Sequence, residues 1–142
     1  MNTHGRRTER RHVFTLPGCL GSVADARRRT RDRLHLWGFA GEICDLTVLV
    51  VSELVTNAVR HTASRAVVCQ VRSTGSLVHV EVQDEGAAKR RPRKLTPGVE
   101  SEGGRGLLLV DTLTESWGVR SSAPGTGGGP GRTVWATLRS VV

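Results

Sequence analysis

Residues 40–61 constrain the fold more than any other stretch of this chain. Val48, Val51, Val55, Ala58 and Val59 fall on one side at a 3.6-residue period, which predicts a strong amphipathic helix with one face to bury. Such a helix needs a sheet or further helices to lie on, and the sequence supplies both. Residues 65–72 and 77–83 read as strands, with clear alternation at Val78, Val80 and Val82. Ser73-Thr74-Gly75-Ser76 between them is turn chemistry, so the two form an antiparallel hairpin. Residues 12–16 fit a short first strand closed by Pro17-Gly18. Ser22 is placed to cap a helix running to about Trp37 and stopped at Gly38, with Val23, Ala26, Leu34 and Trp37 at roughly helical spacing. Further on, 106–114 predicts a helix, 117–120 a short strand, 123–131 a Gly/Pro turn and 133–138 a last strand. Residues 85–103 show no periodicity and carry Gly, Pro and charge, and a stretch of that length inside a compact domain is usually functional or disordered. The order β-α-α-β-β-loop-α-β-β predicts an α+β fold. It is a two-layer sandwich, with helices on one face of a mixed, mostly antiparallel sheet.

The length, 142 residues, suits one domain with one core. Aromatic residues are only 4% of the chain, so that core must be built from Val, Leu and Ala. No apolar run approaches the roughly 20 residues of a membrane span, and no apolar stretch precedes Leu16 to make a signal peptide. Cys19, Cys44 and Cys69 are odd in number and far apart, which suits neither a disulfide framework nor a zinc site. Cys44 and Cys69 read as core packing, and a cytoplasmic location is expected.

The net charge of +8 invites a nucleic-acid reading. The charge is local, however. Residues 1–33 carry nine Arg against three acids, residues 87–102 carry five bases against two, and the remainder is close to neutral. No aromatic residues are interleaved with the basic runs to stack on bases. The expected organisation is a basic, disordered tail over 1–11 followed by a single domain over 12–142.

Four segments carry chemistry. In Glu53-Leu54-Val55-Thr56-Asn57-Ala58-Val59-Arg60-His61, Glu53 and Asn57 are four residues apart and share a helical face, with Arg60 and His61 on the same polar arc. A carboxylate and an amide oxygen stacked this way can hold Mg²⁺ and a water, with phosphates completing the shell. The pattern also suits a plain wet helix face, but Asn is a poor mid-helix residue. The second segment, Val80-Glu81-Val82-Gln83-Asp84-Glu85-Gly86, ends a buried strand in an acid followed by a glycine. Asp84 could accept from an exocyclic amine while Gly86 lets a planar ring approach the backbone. The third, Gly103-Gly104-Arg105-Gly106-Leu107-Leu108-Leu109-Val110, opens glycines directly into an apolar helix. That arrangement aims backbone N–H groups at an anion such as phosphate, or is simply a linker before a helix. The fourth, Gly131-Arg132-Thr133-Val134-Trp135-Ala136, is a Gly-led final strand.

In order and spacing these four resemble the N, G1 and G2 boxes and terminal strand of the GHKL ATPase superfamily. The resemblance covers roughly residues 12–138 and is closest to the short, free-standing anti-sigma-factor serine/threonine kinases. Its most specific parts are Val51-Ser52-Glu53-Leu54-Val55-Thr56-Asn57-Ala58 and Gly104-Arg105-Gly106-Leu107. It implies a histidine-kinase-like, Bergerat-type ATP-binding domain with ATP and Mg²⁺ as cofactors. By that resemblance Glu53 is the general base and Asn57 the Mg²⁺ ligand. Asp84 binds the adenine amine with Gly86 beneath the ring, and Thr133 supports Asp84. Gly104, Arg105, Gly106 and Leu107 form the phosphate-binding loop, Arg60 and His61 are phosphate contacts, and 87–102 is the ATP lid. The implied partners are a sigma factor and an anti-sigma antagonist protein that is phosphorylated, with a homodimer possible and no direct nucleic-acid or membrane contact.

Two positions depart from the family pattern. Gly86 is followed by Ala87-Ala88 where a second glycine is common, and Glu102 stands where some kinase members carry Arg. Both favour the main alternative, a non-catalytic ATP-sensing interaction module. A basic nucleic-acid-binding protein is the third reading.

Overall fold

The computed structural model describes residues 9–86, 107–122 and 131–140. In chain order these form β1 (Glu9–Pro17), α1 (Ser22–Leu36), α2 (Glu42–His61), β2 (Ala66–Thr74) and β3 (Leu77–Asp84). Helical residues at 107–113 (α3) follow, then β4 (Ser116–Ser122) and β5 (Gly131–Arg139). The strands make one five-stranded sheet in the order β1-β2-β3-β5-β4. All four ladders between described strands are antiparallel, in line with the mostly antiparallel sheet expected.

The pattern of apolar residues explains the layering. Phe14 and Leu16 on β1, Val67, Cys69 and Val71 on β2, Val78, Val80 and Val82 on β3, and Val134, Ala136 and Leu138 on β5 alternate along their strands and are all buried. Cross-strand register puts them on one face, with Phe14 opposite Cys69, Val71 opposite Val80, and Val82 opposite Val134. Val50, Val51, Leu54, Val55 and Ala58 of α2 complete the core from the helical layer, joined by Ala26 and Leu34 of α1 and Val110 of α3. The core is therefore mostly Val, Leu and Ala, as the scarcity of aromatics requires.

Several boundaries differ from expectation, each for a local reason. β1 starts at Glu9 rather than His12, because its partner β2 runs on to Thr74 and the ladder continues to the Glu9–Thr74 pair. That strand takes in three residues expected to belong to the tail. Ser22 does not cap α1. It is the first helical residue, and its hydroxyl donates to the Pro17 carbonyl at 2.7 Å, tying the helix start to the end of β1. Gly38 has φ +94°, a conformation that glycine adopts without strain, and it stands just past α1 as the expected stop. α2 begins at Glu42, and the hairpin turn is only Gly75-Ser76, since Ser73 and Thr74 stay in the ladder opposite Val78 and Leu77. Much of the aperiodic stretch 85–103, with most of the glycine loop after it and residues 123–130 of the Gly/Pro turn, lies outside the described residues.

Candidate nucleotide site

The site is assembled at one end of the sandwich, where α2 and β3 finish. Thr62 closes α2: its hydroxyl donates to the Ala58 carbonyl at 2.6 Å. With that proton committed, the Ser64 hydroxyl is the donor in the 2.7 Å contact between the two. Ser64 Oγ in turn accepts the Glu85 N–H at 2.8 Å, and Glu85 Oε1 accepts the Arg65 N–H at 3.1 Å. Gly18, just past β1, donates its N–H to the Arg65 carbonyl at 3.0 Å. A Cβ at Gly18 would lie 2.1 Å from the Ser64 carbonyl oxygen, so that packing admits no side chain. This chain of bonds fixes the end of α2, carrying Asn57, Arg60 and His61, against the end of β3, carrying Asp84 and Gly86. The two expected parts of the site thus share one edge of the domain.

Asp84 is the most enclosed charged residue there, at 2% exposure. Its Oδ1 accepts the Gly86 N–H at 2.8 Å. Its Oδ2 accepts from both Nε (3.1 Å) and Nη2 (2.9 Å) of Arg132. Burial pushes the Asp84 carboxyl above its ordinary value. The Arg132 guanidinium and the Gly86 N–H oppose that shift without cancelling it. Gly86 is buried and sits at φ +88°, a backbone position that any side chain would strain. The acid and the flat, side-chain-free backbone that a purine amine and ring require therefore stand together.

On α2, Glu53 and Asn57 are both half-buried, one turn apart, while Arg60 and His61 are exposed at the helix end. Ser52, directly before Glu53, is buried and accepts from Arg27 Nε at 3.0 Å, which ties this turn to α1. Among the described residues no group of three His, Cys, Asp or Glu could hold a metal ion. A cation at Asn57 would therefore depend on phosphate oxygens and water, the coordination magnesium accepts.

Thr133 is buried at 2% exposure in β5, but its register partner is Gln83. Arg132 is the residue opposite Asp84. Because successive strand residues point to opposite faces, the β5 side chain that shares a face with Asp84 and bonds it is that of Arg132. The sequence offered one clue, an Arg leading the final strand. Its partner depended on the β3–β5 register, which a long intervening segment hides. Leu107 is half-buried against the core. Gly104, Arg105, Gly106 and the 87–102 segment lie outside the described residues.

The basic run on α1 is substantially paired. Arg28 and Arg29 bond Asp25, Arg31 bonds Asp45 at 3.2 Å, and Arg27 bonds Ser52. No helix among the described residues is long and apolar enough to cross a membrane.

The family model for the histidine kinase-like ATPase domain matches residues 16–137. No curated protein matches the chain.

Proposed function

Since the chain belongs to the histidine kinase-like ATPase domain family, with ATP the nucleotide such a domain implies, we propose that it is a regulatory ATP-dependent protein serine/threonine kinase of the anti-sigma type. The observation that carries the nucleotide part is Asp84. It is a buried carboxylate at the end of a central strand, held by Arg132 and followed by a positive-φ glycine. The kinase part rests on Glu53 and Asn57, one turn apart on a helix whose end is tied to the Asp84 strand.

In this reading Asp84 accepts from the adenine amine and Gly86 lies under the ring. Arg60 and His61 meet the phosphates at the helix end, together with the loop Gly104-Arg105-Gly106-Leu107. Asn57 would hold Mg²⁺, which supplies charge neutralisation at the phosphates when bound. Glu53 takes the proton of a serine hydroxyl as that oxygen bonds to the γ-phosphorus. The bond to the β–γ bridging oxygen breaks, and ADP leaves. The protein's part is mainly positioning and charge stabilisation. The partners proposed are a sigma factor and a small antagonist protein carrying the acceptor serine. A homodimer and a cytoplasmic location complete the proposal.

The test is incubation with labelled ATP, Mg²⁺ and a panel of candidate antagonist proteins, reading out phosphoserine. Transfer that Glu53→Ala removes while ATP binding persists supports the kinase. If ATP binds but is consumed with no candidate, the chain is the non-catalytic ATP-sensing module favoured by Glu102.

A further inference from the structure

A carboxylate offers about four acceptor positions, two on each oxygen. On Asp84 three are taken. Gly86 N–H fills one position on Oδ1, and Arg132 Nε and Nη2 fill both on Oδ2. One position remains, on Oδ1. Arg132 can hold this arrangement because it lies directly opposite Asp84 in the β3–β5 ladder. Asp84 has 0% of its side chain exposed, against 32% for Arg132.

We infer that Arg132 is a base-specificity residue: by occupying Asp84 Oδ2 it leaves a single acceptor, which fits a 6-aminopurine and rejects guanine. The inference rests on the nucleotide reading proposed above. An adenine amine needs only one acceptor at this edge. Guanine presents two adjacent donors, N1–H and the 2-amine, and pairs well with a carboxylate only when both oxygens are open. Against Asp84 as Arg132 holds it, one guanine donor stays unpaired in an enclosed site. The 6-oxo group could take a spare N–H of Arg132, yet two donors would still compete for one acceptor. An unmet buried donor is costly, and sites that match hydrogen-bonding groups discriminate strongly through this cost.

The test is equilibrium binding of ATP and GTP, each with Mg²⁺, to wild type, Arg132→Lys and Arg132→Met at pH 8. Wild type is expected to prefer ATP by about tenfold or more, the effect of one unpaired buried donor. Arg132→Met keeps the aliphatic stem and opens both positions on Oδ2, so the ATP:GTP ratio should fall by about tenfold. Arg132→Lys keeps the charge with a more mobile point donor, and its ratio should lie between the two. A variant that merely loosened the fold would weaken both nucleotides together and leave their ratio alone. If the Met variant fails to fold, the wild-type preference and the Lys variant still decide. ATP binding with a ratio unchanged across folded variants, or wild type taking GTP as tightly as ATP, overturns the inference alone. No binding of either nucleotide by wild type overturns the nucleotide reading and this inference with it.

Discussion

Asp84 and Arg132 face each other across adjacent strands, and the guanidinium closes on a single carboxylate oxygen, through Nε at 3.1 Å and Nη2 at 2.9 Å. The pair joins the expected base-recognition end of β3 to the start of β5. It therefore ties two strands of the fold together. Replacing Asp84 by Asn removes the charge that Arg132 answers and should lower stability by about 1–3 kcal/mol, the range for losing a charged hydrogen-bond partner. Chemical unfolding of the ligand-free protein measures this. An unchanged midpoint would mean that the pair contributes nothing to the fold.

Thr30 of α1 and Thr47 of α2 bury hydroxyls that find no hydrogen-bond partner among the described residues. A buried hydroxyl without a partner costs more than the methyl that could replace it. Thr30→Val and Thr47→Val should each be neutral or stabilising, by up to about 1 kcal/mol. Urea midpoints decide this, and a clear loss of stability in both variants would show that the hydroxyls have partners after all.

His79 and Glu81 share the sheet face opposite the helices, where His79 stacks on Trp135 at 6.0 Å between ring centroids. The Glu81 carboxylate can only accept, so Nε2 of His79 carries the proton in their 3.0 Å bond. In the neutral ring Nδ1 then accepts from the Thr137 hydroxyl at 3.3 Å. Burial holds His79 below its ordinary value of 6.5, outweighing the opposing pull of Glu81. Burial pulls Glu81 upward, but the bonds from His79 and Arg120 together leave it below its ordinary 4.5. In both cases the unfolded chain binds more protons, so stability falls as pH drops through these ranges. His12, lowered by burial beside Arg33 and Arg29, acts in the same direction. Unfolding midpoints measured from pH 7.5 to 5 should fall, and His79→Gln should flatten the slope without abolishing it. An unaltered slope would remove His79 from the account.

Burial pushes the Cys69 thiol up to about 12, and its residue is 1% exposed, whereas Cys19 is exposed. Thiolate is the reactive form. Alkylation of the native protein should modify Cys19 rapidly and Cys69 only on unfolding, read by peptide mass. Fast labelling of Cys69 in the folded state would contradict its place in the core.

The layers of this fold were legible from periodicity. The Val stripe of 40–61 and the alternation of Val78, Val80 and Val82 each specify a buried face, and the physical requirement to pair those faces leaves few architectures. What periodicity could not give was register. That Arg132 lies opposite Asp84 depends on the register between strands far apart in sequence, and a one-residue offset would exchange the two faces. Ser22 misled for a related reason. The helix starts at Ser22 itself, whose hydroxyl donates back to the Pro17 carbonyl, a contact that exists only once β1 and α1 are packed. The bond chain Thr62–Ser64–Glu85 that brings α2 and β3 to a common edge is likewise tertiary.

The central claim, that Asp84 anchors a nucleotide at the end of β3, is tested most directly by thermal unfolding with and without ATP·Mg²⁺ in wild type and Asp84→Asn. A ligand selective for the folded state must stabilise it, by about 2.7 kcal/mol at a hundredfold excess over Kd. The account predicts a rise in Tm for wild type and none for Asp84→Asn, each compared with its own ligand-free protein. No shift in wild type at millimolar ATP, or an equal shift in the variant, would contradict it.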